Sequence, residues 1–135
     1  DMEEKFQRGF EDAEENGFYR AAVDYLLYTV RCYFLMYVED PSDKGYIVRM
    51  EDHLQITEEW LEKHSFLDDQ YRADYWYFYC LLLQLKGEDT ENALKKASYF
   101  SGKNWCFRFK NWEFRFGNWE FLQYDCLFLL KAPDF

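Results

Sequence analysis

The chain has 135 residues, the usual length of one compact domain, and we expect residues 1–135 to fold as a single domain. Its 26 acidic and 16 basic side chains give a net charge of −10, which excludes the positive surface expected of a protein that binds nucleic acid directly. Five Trp, 12 Tyr and 14 Phe exclude a disordered acidic chain, because disorder requires low hydrophobicity.

The first predicted helix covers residues 2–16, where apolar side chains recur at spacings of three and four. This stripe consists of Met2, Phe6, Phe10 and Ala13. Gly17 is predicted to end the helix, because glycine readily adopts the left-handed conformation that follows a helix. The second predicted helix covers residues 18–38 and is apolar almost all round, which is typical of a helix at the centre of a bundle.

Three further helices are predicted after the turn at Pro41. The third covers residues 44–63, the fourth begins after Asp68 or Asp69 as N-cap and ends at Gly87, and the fifth covers about 90–100. The side chains predicted to face the core on these helices are Ile47, Met50, Leu54, Thr57, Leu61, Tyr71, Tyr75, Phe78, Leu82, Leu85, Ala93, Leu94 and Ala97. The sequence therefore predicts a mainly α fold, with a bundle of helical hairpins over residues 1–102.

An aromatic repeat with a period of seven residues follows at residues 104–124. If this segment forms strands, its eight Trp and Phe rings share one face, and Arg115 lies opposite Glu120. If it forms a helix, three of the Phe rings lie away from the Trp stripe. We predict a C-terminal three-stranded antiparallel meander within residues 103–135, packed on the bundle. The alternative is an all-α helical repeat throughout.

Acidic charge is concentrated in the first half of the chain. Residues 1–69 carry 18 acidic and seven basic side chains, a net charge of −11, whereas residues 70–135 have a net charge of +1. Complementary charge speeds association and penalises wrong partners, so the acidic half is predicted to bind a basic protein or peptide. The carboxylates predicted to contact this partner are Glu11, Asp12, Glu14, Glu15, Glu58, Glu59, Glu62, Asp68 and Asp69.

No catalytic motif occurs in the sequence. It lacks a Gly-rich phosphate loop, a G-x-S-x-G nucleophile turn, a zinc-binding H-E-x-x-H helix and a D-x-D-x-D-G calcium loop. We therefore predict no enzyme, no catalytic residue and no cofactor, and we expect His53 and His64 to be solvated or to cap helices. Arg49 and His53 form an R-x3-H pair that resembles the R-x4–6-H pattern of HEPN nucleases, which implies a ribonuclease as a minor alternative.

The cysteines predict neither a metal site nor a disulfide framework. Cys32, Cys80, Cys106 and Cys126 are separated by 48, 26 and 20 residues, without a C-x-x-C pair. We expect them to be reduced packing residues of a cytoplasmic protein. The acidic start does not resemble a signal peptide, and charges interrupt the apolar stretch 21–38, so we expect a buried helix and no membrane span.

Residues 17–25 resemble the entry into the second helix of a tetratricopeptide hairpin, and residues 87–97 look like a second copy. The positions that match the repeat pattern are Gly9, Ala21 and Tyr25 in the first hairpin and Tyr77 and Ala93 in the second. The first three helices also resemble the microtubule-interacting-and-transport domain. These resemblances cover about half of the chain, and both families bind peptide segments or helices of partner proteins.

Charge and resemblance together favour a non-enzymatic protein-interaction module, an adaptor whose acidic helices bind a basic partner. The alternative is an acidic inhibitor or immunity protein that blocks a nucleic-acid enzyme, with carboxylates taking the place of phosphates. These hypotheses differ in the identity of the tight partner, which the sequence does not give.

Overall fold

The computed structural model describes residues 2–101, which form five α-helices. These helices are α1 (Met2–Glu15), α2 (Tyr19–Glu39), α3 (Gly45–Lys63), α4 (Asp69–Lys86) and α5 (Glu91–Ser101). The prediction of a mainly helical protein is confirmed for this part, and each predicted helix is found with its ends within about two residues. The strand meander predicted at 104–124, and its helical alternative, lie outside the described residues.

Helix α2 is the central helix, as its apolar circumference predicts. It packs against α1, α3 and α4, and α5 packs on α4. Residues that are buried along α2 include Ala22, Val23, Leu26, Leu27, Val30 and Phe34. A helix covered on several sides needs apolar side chains all round, which explains why α2 lacks a single hydrophobic stripe.

Glycines end two of the helices in the predicted manner. Gly17 and Gly87 have φ angles of 76° and 71°, in the left-handed region that favours glycine. After α1, the Phe18 N–H donates to the Ala13 carbonyl at 2.8 Å and the Gly17 N–H to the Glu14 carbonyl at 3.1 Å. This bonding pattern satisfies the last carbonyls of α1 and turns the chain directly into α2.

Helix α1 approaches α2 closely at Gly9. A Cβ atom built on Gly9 would lie 2.5 Å from Cζ of the Tyr25 ring, which is far inside van der Waals contact. The Tyr25 ring also packs near the rings of Phe6 and Tyr28. The absence of a side chain at Gly9 therefore sets the distance between α1 and α2.

Side-chain contacts fix the direction of each helix. Near the start of α1 and α3, Glu3 lies 3.9 Å from Arg49, whereas near their other ends Glu14 accepts a hydrogen bond from Trp60. Helices α1 and α3 are therefore parallel to each other. The turn from α1 to α2, the end of α3 and the start of α4 consequently lie at one end of the bundle.

Most of the predicted core positions are buried. Met50, Leu54, Thr57 and Leu61 line the inner face of α3. The prediction for Met2 is wrong, because its side chain is 51% exposed. Met2 is the first residue of α1, where no preceding turn of the helix packs beside it.

Within residues 2–101, Cys32 and Cys80 form no disulfide. Both cysteines are buried, Cys80 belongs to the hydrophobic core, and burial raises the pKa of the Cys32 thiol. Burial also lowers the pKa of the neighbouring Arg31 guanidinium to about 10. Cys106 and Cys126 lie outside the described residues. None of the five described helices is long and apolar enough to cross a membrane.

Candidate functional site

Successive helices run in opposite directions, so α1 and α3 are parallel and both end at the same end of the bundle. The nine carboxylates predicted to contact a partner lie at this end. They come from the second half of α1, the last turns of α3 and the start of α4, and all nine residues are exposed. We call this set the acidic end: Glu11, Asp12, Glu14, Glu15, Glu58, Glu59, Glu62, Asp68 and Asp69. The topology therefore gathers charges that are up to 58 positions apart in the sequence.

Two carboxylates of the acidic end also hold the fold together. Glu14 Oε2 accepts a hydrogen bond of 2.6 Å from the indole Nε1 of Trp60, and this bond joins α1 to α3. Glu58 Oε2 accepts a hydrogen bond of 2.5 Å from the hydroxyl of Tyr75, which joins α3 to α4. Hydrogen bonds to a charged acceptor are stronger than neutral ones, so these two residues are poor choices for a test of binding alone.

Basic side chains neutralise part of the acidic end. Arg20 lies 3.8 Å from Asp68, and Arg72 lies 3.7 Å from Asp69 while it donates to the Leu67 carbonyl at 2.9 Å. Asp68 is the N-cap residue of α4, as predicted, but its side chain makes no capping hydrogen bond. Within residues 2–101, no ion pair is formed by the carboxylates of Glu11, Asp12, Glu15, Glu59 or Glu62.

An aromatic cluster lies beneath the acidic end. The imidazole of His64 stacks on the indole of Trp60, with ring centroids 3.8 Å apart, and Nδ1 of His64 lies 2.7 Å from the Trp60 carbonyl oxygen. The ring of Tyr19 lies 4.8 Å from His64 and 5.7 Å from Phe66. The expected capping role of His64 is confirmed, because it is the C-cap residue of α3.

A solvent-open groove of about 550 Å³ lies beside this cluster, between the α1–α2 turn and the connection from α3 to α4. We call it the end groove; its lining consists of Gly17, Phe18, Tyr19, Arg20, Ala21, Phe66 and Leu67. The side chains of Phe18 and Phe66 are 65% and 67% exposed. The groove was not predicted from the sequence, although each of the two interhelical connections that border it contains a Phe.

Arg49 and His53, the pair that resembles a HEPN motif, lie one turn apart on α3 and have structural contacts. The Arg49 guanidinium lies 3.9 Å from Glu3 and 5.5 Å above the Tyr46 ring. His53 is half-buried with its ring edge-on to Tyr33 at 6.0 Å, and burial lowers its pKa. The expectation that His53 is solvated or caps a helix is therefore wrong, because it lies in the middle of α3 with its ring partly covered. Both side chains lie on the half of α3 that is farther from the acidic end.

The lowered pKa of His53 predicts an acid-sensitive fold. Burial disfavours the charged imidazolium, so His53 contributes stability that is fully present above pH 6.5 and is lost as the pH falls through its folded-state pKa. We expect the free energy of unfolding in urea to fall by at most about 1.4 kcal/mol per pH unit below pH 6.5 from this group. His53→Gln should flatten this slope above pH 5, where the carboxylates are still ionised; an unchanged slope would contradict the assignment.

Within residues 2–101, no group of three or more His, Cys, Asp or Glu side chains is arranged to hold a metal ion. Comparisons of the chain with protein-family models, curated proteins and solved structures find no match. The acidic end and the end groove are therefore the features of this chain from which a function is inferred.

Proposed function

We propose that this chain is a non-enzymatic protein-binding module whose acidic end binds a basic segment of a partner protein. The observation that carries the proposal is the gathering of nine exposed carboxylates at one end of the bundle, against three basic side chains there, Arg20, Lys63 and Arg72. A surface patch of one sign attracts segments of the opposite sign and accelerates their association.

Two further observations support this proposal. The sequence resemblance of residues 17–25 and 87–97 to tetratricopeptide hairpins, and of the first three helices to the microtubule-interacting-and-transport domain, implies recognition of peptide segments. Cys32 and Cys80 are buried and form no disulfide within residues 2–101, which fits a reducing compartment, so we propose a cytoplasmic location.

A selection from a library of random displayed peptides tests the proposal without a known partner. We expect the enriched peptides to be rich in Lys and Arg and to bind less tightly as salt is raised, because salt screens exposed charges. The test variant is Glu15→Gln/Glu59→Gln/Glu62→Gln, which removes three exposed carboxylates that make no described ion pair. It should weaken binding about five- to tenfold, since an exposed charge pair contributes about 0.2 to 1 kcal/mol.

The matched control removes the same amount of charge elsewhere. Glu4, Glu39 and Asp52 are exposed and lie outside the acidic end, so Glu4→Gln/Glu39→Gln/Asp52→Asn changes the net charge equally. This control should leave binding within about twofold of wild type, because separated exposed charges are screened beyond about 10 Å at 0.1 M salt. Equal losses in both triple variants, or enriched peptides without basic residues, would overturn the proposal.

The clustering of the carboxylates also favours a second candidate, an inhibitor or immunity protein of a nucleic-acid enzyme. Carboxylates held close together by α1, α3 and α4 can occupy the positions of successive phosphates in a basic active site. In that case the tight natural partner is a nuclease, and one equivalent of this protein abolishes its activity. Short peptides from several unrelated proteins as tight partners would instead support the adaptor.

A further inference from the structure

We infer that the end groove is the anchor site of this module, and that it takes a large apolar side chain from the basic segment of the partner. The recognised sequence is then a Phe, Trp or Leu directly flanked by Lys or Arg. This inference rests on the proposed function and adds to it the place of docking and the kind of residue that is bound.

Two exposed aromatic side chains, Phe18 and Phe66, border the end groove, and we call them its lips. Phe18 and Phe66 expose about two thirds of their side chains on opposite sides of the groove, one in the turn after α1 and one in the connection after α3. Exposed aromatic side chains that lie together favour contact with another apolar group, and buried aromatic anchors dominate the energy of protein interfaces. A large apolar side chain inserted between the two rings would remove both from water.

The walls of the groove are held in place before any partner binds. Tyr19 packs on the ring of His64 at 4.8 Å, and the Tyr19 ring is in edge contact with Phe66. Leu67 is buried, and its carbonyl accepts the hydrogen bond from Arg72. A site with ordered walls loses little conformational entropy on binding, which favours affinity.

Charge around the groove identifies the occupant. Glu14 and Glu15 precede the Gly17 side of the groove, and Asp68 and Asp69 follow the Leu67 side. Arg20, which lines the groove, pairs with Asp68, and Arg72 pairs with Asp69, so these four carboxylates and two guanidinium groups leave the flanks with a net negative charge. An acidic segment or an anionic molecule would be repelled here. A second copy of the chain would bring two acidic ends together, which is also unfavourable. A basic segment with an apolar residue at its centre matches both the lips and the flanks.

Two short fluorescent peptides separate the apolar contribution from the electrostatic one. Both carry four Lys or Arg residues, and the central residue is Phe in one and Ser in the other. We expect the Phe peptide to bind the full chain about tenfold more tightly than the Ser peptide in an anisotropy titration. The variant Phe18→Ser/Phe66→Ser should abolish this difference and leave binding of the Ser peptide unchanged.

Two further variants keep the test specific to the groove. Ala21→Trp places a large ring from the exposed first turn of α2 into the groove and should also abolish the preference for Phe. Tyr99→Ser removes an aromatic side chain that is 79% exposed on α5 and should leave the preference intact. Unchanged melting temperatures confirm folding; a large loss of stability in Ala21→Trp would mean that another part of the chain already fills the groove, which overturns the inference.

The outcomes distinguish this inference from the proposed function. If both peptides bind with equal affinity and both weaken in the triple Glu→Gln variant, the proposed function stands and the anchor site is wrong. If neither peptide binds wild type, the proposed function and the anchor site both fail. If sedimentation shows a wild-type dimer that Phe66→Ser dissociates, a second copy occupies the groove and the inference is overturned.

Discussion

Replacement of Trp60 by Ala is expected to lower the free energy of unfolding by about 3 to 5 kcal/mol, the range for a buried aromatic ring. The Trp60 side chain is 7% exposed and contacts three helices or their ends. Its ring stacks on His64 at 3.8 Å and lies 6.2 Å from both Phe10 on α1 and Tyr19 on α2. Removal of the ring leaves a cavity where α1, α2 and α3 meet. Urea unfolding followed by far-ultraviolet circular dichroism measures the loss.

Smaller substitutions separate the ring from its hydrogen bond. Trp60→Phe keeps most of the packing but removes the donor to Glu14. It should therefore lower the free energy of unfolding by only about 1 to 2 kcal/mol, less than Trp60→Ala. Glu14→Gln keeps an acceptor and should cost about 1 kcal/mol or less, and the combined variant should cost less than the sum of the two. Phe66→Ala is the matched control, because that ring is mostly exposed. If Trp60→Ala costs no more than Phe66→Ala, the packing described for Trp60 is wrong.

The helices could be predicted from sequence because the signals that define them are local. Gly17 and Gly87 mark helix ends through backbone conformation, and apolar spacing marks the inner faces of α3 and α5. Helix α2 was identified as central because it is apolar all round. None of these signals depends on knowledge of the neighbouring helices.

Contacts between distant residues could not be predicted in this way. The bond from Trp60 to Glu14 joins residues 46 positions apart, and periodicity says nothing about the polar tip of an aromatic side chain. The nine acidic residues were identified individually, but their gathering depends on the parallel arrangement of α1 and α3. The end groove was missed for the same reason, since its two lips, Phe18 and Phe66, lie in separate connections.

The carboxylates of the acidic end therefore differ in what their removal changes. Glu14 and Glu58 accept hydrogen bonds from buried aromatic residues, so their removal changes stability as well as surface charge. Glu15, Glu59 and Glu62 make no described ion pair, and the 3.5 Å hydrogen bond from Gln55 to Glu59 lies on the exposed face of α3, so their removal changes mainly the surface charge. A scan that replaced all nine together would confuse loss of folding with loss of binding, and for this reason the charge test is confined to the second group.

Replacement of Tyr75 by Ala is the second large loss that we expect, also about 3 to 5 kcal/mol. Tyr75 is buried on α4, where its ring packs against Trp76 at 5.0 Å and Tyr79 at 6.0 Å. Its hydroxyl donates to Glu58 across the α3–α4 contact. Tyr75→Phe keeps the ring and leaves Glu58 exposed to water, so it should cost only about 1 to 1.5 kcal/mol.

Alkaline pH provides an independent readout of the Tyr75 hydroxyl. Burial, followed by the bond to Glu58, raises the pKa of Tyr75 well above its usual value of 10. The fold therefore favours the neutral phenol, and the stability from this group is fully present below pH 10 and is lost as the pH rises through the folded-state pKa. Stability should consequently fall more steeply above pH 10 in wild type than in Tyr75→Phe. Tyr99→Phe, at an exposed tyrosine, should retain the wild-type slope, and an equal slope in all three proteins would show that Tyr75 is not held neutral by the fold.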